Sequence, residues 1–134
     1  MEKGIKTKDD SLVIIDSKEY IIIDSKALSY ILENFSTVDY GRILQMSDMT
    51  NGCYNILHKD KFTPHNDESL MKEIKYSRNK YLDFMKRLYD NGVVYYLKGK
   101  KNGVEFKHIM LNPYLARKRK TISQDCIQYF QELK

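Results

Sequence analysis

Two short apolar runs stand near the start of the chain, Leu12-Val13-Ile14-Ile15 and Tyr20-Ile21-Ile22-Ile23, separated by the polar Asp16-Ser17-Lys18-Glu19. β-Branched side chains suit a pleated, half-buried surface, so the pair predicts a β-hairpin. Behind it, Leu28, Ile31, Leu32 and Phe35 recur at helical spacing. Asp24 or Ser25 stands where a side-chain oxygen can accept from a free N–H of the first turn. A second helix is expected over about 39–49, with Tyr40, Ile43, Leu44 and Met46 inward and Thr50-Asn51-Gly52 as its stop. Tyr54, Ile56 and Phe62 punctuate a mostly extended stretch as far as Pro64.

In the second half the pattern sharpens. Asn66 or Asp67 can cap a short helix over 68–74, with Leu70 and Ile74 inward. Over 77–91, Tyr81, Phe84, Met85 and Leu88 fall on one helical stripe, and Gly92 follows as a stop. After Gly92 the period changes from helical to extended. The runs 93–97 and 104–111 flank Lys100-Lys101-Asn102-Gly103, and Asn-Gly is the strongest short hairpin signal because both residues tolerate positive φ. Asn112-Pro113 closes the second strand, since proline lacks the N–H a ladder needs. Thr121 with Gln124 has the pattern of a capping box. A terminal helix is expected behind it, with Ile122, Cys126, Tyr129 or Phe130, and Leu133 along one side. That stripe and the front hairpin are the surfaces expected to meet a second copy of the chain as a homodimer.

Short helix, tight turn, longer helix and basic-tipped hairpin occur in the order of a winged helix-turn-helix. The expected fold is therefore α+β, a winged helix-turn-helix with an N-terminal β-hairpin and a C-terminal helix. One domain spans 1–134: hairpin and first helix in 1–37, winged core in 38–120, terminal helix in 121–134. The first turn of the longer helix carries Ser77, Arg78, Asn79 and Lys80, side chains that can donate to phosphates and to base edges. Ser77 is also expected to cap that helix. Lys86 stands further along it. Lys98, Lys100, Lys101 and Asn102 form the hairpin tip, and Arg117-Lys118-Arg119-Lys120 adds a basic run. Double-stranded DNA is the partner these residues imply.

Charge strengthens that expectation. The 134 residues carry a net charge of +5, unevenly spread. Residues 11–70 hold 5 basic and 9 acidic side chains, while 98–120 hold 8 basic side chains against Glu105 alone. An acidic front and a basic back suggest a polyanion met by one face.

Residues 39–120 resemble the winged-helix proteins of bacterial plasmids and phages, notably the plasmid replication protein family called RepL. The resemblance rests on Ser77-Arg78-Asn79-Lys80-Tyr81 through Leu88, then Asn91-Gly92-Val93-Val94, and the closing Ile109-Met110-Leu111-Asn112-Pro113-Tyr114. MarR-like regulators share the first half of this pattern. The resemblance implies DNA binding as a transcriptional regulator or a replication initiator. Such families place Gly between the two helices; here the pair is Lys75-Tyr76, which predicts a looser turn. Asp83 stands where a basic residue would help, since a carboxylate near phosphates is unfavourable unless it accepts from a cytosine amino group or pairs with Arg87 or Lys86, and Leu82 is expected to point outward.

Other chemistries lack their signatures. His58, His65 and His108 show no metal-ligand spacing, and Cys53 and Cys126 fit no zinc or redox pair, so neither metal nor cofactor is expected. No phosphate loop, no G-x-S-x-G and no carboxylate pair in an apolar surround is present, and the chain reads as a non-enzyme. The eleven tyrosines suggest stacking on single strands, but Tyr81, Tyr95 and Tyr114 are expected in the core. Neither a signal peptide nor a membrane span is expected, which points to the cytoplasm. The reading that competes with DNA binding is a protein–protein adaptor on the same fold.

Overall fold

In the computed structural model the backbone is described for residues 3–6, 11–15 and 20–133, and side chains from Ile21 to Leu133. The fold is mixed α+β with small antiparallel sheets. β1 (Lys3–Lys6), β2 (Ser11–Ile15) and β3 (Tyr20–Asp24) open the chain, with Ile15 opposite Tyr20. The hairpin expected from the two apolar runs is therefore present. Its polar turn, Asp16 to Glu19, lies outside the described residues, as do the side chains of its first strand.

Asp24 accepts from the Ala27 N–H and starts α1 (Ser25–Asn34), which buries Ala27 and Ile31. The chain breaks at Phe35 and Ser36. The Ser36 hydroxyl accepts from the Asp39 N–H to open α2 (Thr37–Asp48), which begins two residues earlier than its apolar pattern suggests. Thr50-Asn51-Gly52 does not act as that helix's stop. Thr50–Asn51 is instead the short strand β4, and Gly52, at φ +73°, turns the chain back toward β5 (Ile56–Leu57).

Next come α3 (Asp67–Glu73), α4 (Arg78–Asp90), and the eight-residue strands β6 (Val94–Lys101) and β7 (Val104–Leu111). β4, β5, β7 and β6 form one sheet in that order. Strand alternation gives this sheet two faces. One packs Val94, Ile109 and Leu111 against Tyr81, Phe84 and Leu88 of α4 in the main core. The other turns Tyr95, Leu97 and Met110 toward a second, smaller core.

That second core corrects the expectation for the C-terminus. α5 is a single turn, Gln124–Ile127, capped by Ser123 and not by Thr121. Ile122, Cys126 and Phe130 are buried against the second face of the protein's own sheet and Leu133 is buried in the main core, so this stripe is not available to a second copy. Burying four such side chains at home, at about 1.5–3 kcal/mol for a large apolar one, outweighs presenting them to solvent.

β8 (Ala116–Arg117) joins the first sheet by pairing with β3. Asn112 makes this return possible: its side-chain amide donates to Gly92 O and Gln131 O, and its Oδ1 accepts from Tyr114 N–H. Asn55, buried at φ 56°, donates to Leu111 O and Ala116 O and ties the two sheets together. Among the described residues, no helix is long and apolar enough to cross a membrane.

Candidate functional site

Asn66 and Ser69 form a reciprocal capping box that fixes where α3 begins. Its end is tight, not loose. Lys75 N–H bonds Lys72 O and Tyr76 N–H bonds Met71 O, the paired bonds of a Schellman ending, and Lys75 takes the left-handed φ of 60° usually left to glycine. Tyr76 then drops into the core edge-on to Phe84, and α4 starts immediately behind it.

The first turn of α4 faces water: Ser77, Arg78, Asn79 and Lys80 are all exposed. Ser77 occupies the N-cap position but its side chain makes no capping bond, so the expected cap is absent and the first N–H groups of α4 are not closed by it. Arg78 pairs with Glu68 of α3 at 3.1 Å, both side chains more than half exposed. Lys80 Nζ lies 4.7 Å from the centre of the Tyr76 ring. Further along, Leu82 points outward, Asp83 pairs with Arg87 at 3.1 Å, and Lys86 pairs with Asp90 at 2.9 Å.

The β6–β7 hairpin closes on Asn102 (φ 53°) and Gly103 (φ 78°), the primed two-residue turn that Asn-Gly predicts. Its register decides which lysines share a face. Val94 and Tyr96 pack on the helix side, so Lys98 and Lys100, at the same parity, lie on that side too. Lys107 is directly opposite Lys98, and Lys100 stands 4.0 Å from Glu105. Lys101 has the opposite parity. Toward the tip the hairpin stiffens itself: the Phe106 ring covers Gly99, where a Cβ would come within 2.7 Å of it.

Asp67, the first residue of α3, joins all three elements. It accepts from Tyr81 OH at 2.6 Å, Lys107 Nζ at 2.9 Å and Tyr96 OH at 3.3 Å. Burial raises the Asp67 carboxyl, but the bonds from Tyr81, Lys107 and Tyr96 outweigh it and hold the group below the usual carboxylate range. Burial and the same carboxylate push the Tyr81 and Tyr96 hydroxyls up. The hairpin is thus pinned to the start of the helix pair.

Between α4 and β6 runs an open groove of about 600 Å³, lined by Leu82, Lys86 and Tyr89 on one side and Tyr95, Lys98 and Lys107 on the other. Its floor is aromatic. Tyr95 stacks on Tyr129 at 4.6 Å, and Tyr89 lies 6.0 Å from Tyr95. Tyr81 is buried as expected and Tyr95, half-buried, packs against the smaller core, but Tyr114 is exposed, so core packing does not account for that one.

The structure therefore brings Lys86 and Lys98 to one groove, places Lys100 on the same face, and leaves the first turn of α4 open. It separates Arg117, Lys118, Arg119 and Lys120 from them. That run follows the end of β7 remote from the Asn102-Gly103 tip, where Arg117 Nη1 donates to Pro113 O and Lys118 lies 3.8 Å from Asp48 of α2. Composition alone could not reveal this, because the pairing of β8 with β3 decides where the run lies.

Lys107 was not among the residues singled out from the sequence, and Asp67 stood there only as a candidate helix cap. The signal for Lys107 is the strand parity that puts it beside Lys98, legible only once the hairpin register is known. Among the described residues, no group of three or more His, Cys, Asp or Glu is placed to hold a metal ion. Cys126 is buried and its thiol is pushed up to about 11, mainly by that burial. Compared with protein-family models, with curated proteins and with solved structures, the chain matches none.

Proposed function

We propose that this chain is a winged helix-turn-helix protein that binds double-stranded DNA without catalysis, as a transcriptional regulator or replication initiator of a plasmid or phage. In this reading α3 and α4 are the helix-turn-helix, α4 reads the major groove, and the β6–β7 hairpin is the wing. The sheet order β5-β7-β6 behind a helix pair suits that arrangement. The observation that carries it is the shared face: Lys98 and Lys100 lie on the side of the hairpin against which α4 packs, and the start of α4 is uncovered. A phosphate strand lying along the groove would meet Lys86 and Lys98, while Arg78 and Asn79 reach base edges. The motif resemblance over 39–120 agrees with this.

Salt-dependent binding tests the reading. Affinity for duplex should fall steeply between low and moderate salt, since each neutralised phosphate releases about 0.9 counterion. Arg78→Ala should relax discrimination between sites, at a loss of about 1–3 kcal/mol on the preferred one. Lys100→Ala should weaken all sites about equally and reduce the salt slope by ~0.9. Uniform weakening by both variants would remove α4 from base reading.

The exposed Leu82, Tyr89 and Tyr129 around the same groove favour a second reading, a docking module for another protein. It predicts weak duplex binding with a flat salt response.

A further inference from the structure

The loop between β5 and α3 holds a side chain that none of these roles uses. Phe62 is 83% exposed, the most exposed of the large apolar side chains described. A lone exposed apolar residue is ordinary, so exposure alone decides nothing. What sets Phe62 apart is the rigidity of its support. The Asp60 carboxylate accepts from Phe62 N–H at 3.0 Å and Thr63 N–H at 2.9 Å. Lys59 N–H bonds Thr63 O at 2.9 Å, His58 bridges Pro64, and Asn51 Nδ2 holds Lys61 O at 3.1 Å. The ring is held out by a closed turn, with Lys61 Nζ 5.5 Å from its centre.

Position and charge indicate what it meets. β5 runs antiparallel to β7 with Ile56 opposite Met110, so the chain leaving β5 heads toward the Asn102-Gly103 end of the sheet. The loop then passes directly to the start of α3, where Asp67 contacts Lys107. It therefore lies toward the wing-tip end, as does the first turn of α4, whose Arg78 pairs with Glu68. Lys59 and Lys61 flank the turn, and Asp60 directs its oxygen at its own backbone. Lys59, Asp60 and Lys61 before Phe62 are polar and exposed, and Thr63 and Pro64 behind it are half-buried, which leaves one projecting ring. That is far short of the roughly 800 Å² per partner a stable protein interface uses, but it matches the gap of one unstacked base step.

We propose that the 59–63 loop is a further DNA contact, in which Phe62 wedges into a base step while Lys59 and Lys61 hold the flanking phosphates. This rests on the duplex-binding reading above and adds deformation of the bound DNA to it. The probe is a roughly 30-base-pair duplex carrying the site selected by the wild-type protein, with 2-aminopurine placed in turn at steps across and beside that site and an energy-transfer dye pair at its ends.

Wild-type protein should raise 2-aminopurine fluorescence at one step and shorten the end-to-end distance. Phe62→Ala, whose exposed position leaves the thermal melt unchanged, should abolish both changes and weaken binding roughly tenfold. The double variant Lys59→Ala/Lys61→Ala should reduce the salt slope by ~1.8. Full affinity and an unchanged bend in Phe62→Ala overturn the wedge and leave duplex binding standing. Loss of binding to anionic vesicles in Phe62→Ala, with duplex binding intact, overturns it as well. A wild-type protein that binds no duplex at low salt ends both proposals at once.

Discussion

Asp39, inside α2, accepts one tyrosine hydroxyl and Asp67, at the start of α3, accepts two, each alongside one cation, but water reaches them very differently. The Asp39 side chain is 4% exposed, and it takes Tyr76 OH at 2.5 Å and Arg87 Nη2 at 2.7 Å. The Asp67 side chain is 38% exposed, and its cation Lys107 is 46% exposed at the edge of the groove. In both, burial raises the carboxyl and the tyrosine and cation bonds outweigh it, so each ends below the usual carboxylate range. Similar chemistry does two jobs. Asp39 locks α2 onto the α3–α4 turn and the far part of α4. Asp67 pins the hairpin to the start of α3 at the rim of the groove, and in the proposed duplex complex a phosphate would compete there for Lys107.

The largest expected effect comes from breaking the sealed site. Asp39→Ala leaves Tyr76 OH without its acceptor and Arg87 without its inner partner. It should lower stability by about 3 kcal/mol in urea unfolding, the low end for a buried pair because Arg87 remains half in water. A loss below about 1 kcal/mol would mean that water replaces the carboxylate freely, and the contrast with Asp67 would vanish.

Asp67→Asn sharpens the contrast from the other side. The amide keeps an oxygen for Tyr81 OH but drops the charge, so stability should fall by only about 1 kcal/mol. Lys107 then becomes free for phosphate, and the salt slope of duplex binding should steepen by ~0.9. A weaker affinity with an unchanged slope would make Asp67 an anchor of the β6–β7 hairpin alone.

At neutral pH the titrating groups contribute no further difference, and their effect emerges only on acidification. Both carboxyls are depressed, so their contribution is present above about 3.9 and is lost as pH falls through their lower folded values. Histidine separates the two sites at milder acidity. Burial lowers His65, whose Nδ1 lies 2.8 Å from Ser69 Oγ in the capping box beside Asp67, and burial with the His58 charge lowers His108. A depressed histidine leaves the unfolded chain holding more protons, so stability declines as pH drops below about 6.5, by at most about 1.4 kcal/mol per pH unit for each group. His65→Gln should flatten that decline in thermal melts between about pH 6.5 and 5. An unchanged slope would place the proton uptake elsewhere.

Much of the local architecture is legible in the residues themselves. The Asn102-Gly103 turn, the Gly92 ending of α4 and the Tyr81-Phe84-Met85-Leu88 stripe all occur where periodicity and turn chemistry place them. Lys75 departs from its local preference: nothing about lysine favours φ 60°, and the bonds to Met71 O and Lys72 O impose it. The terminal stripe misleads for a related reason. Ile122, Cys126 and Phe130 have helical spacing, but Tyr95, Leu97 and Met110 present a sheet face that needs covering, and a segment with one helical turn covers it.

By itself the sequence determined the elements whose causes are short-range: a cap at Asp24 or Ser25 and at Asn66 or Asp67, the apolar periods, and the hairpin turn with its lysines, whereas the Ser36 cap emerged only with the structure. Only the tertiary structure decided which cations work together. Strand register put Lys98, Lys100 and Lys107 on the α4 side, while the β3–β8 pairing carried Arg117 to Lys120 to the far end of β7. Periodicity and turn preference act over a few residues, whereas strand pairing joins positions as far apart as Ile22 and Arg117, a separation no local pattern encodes.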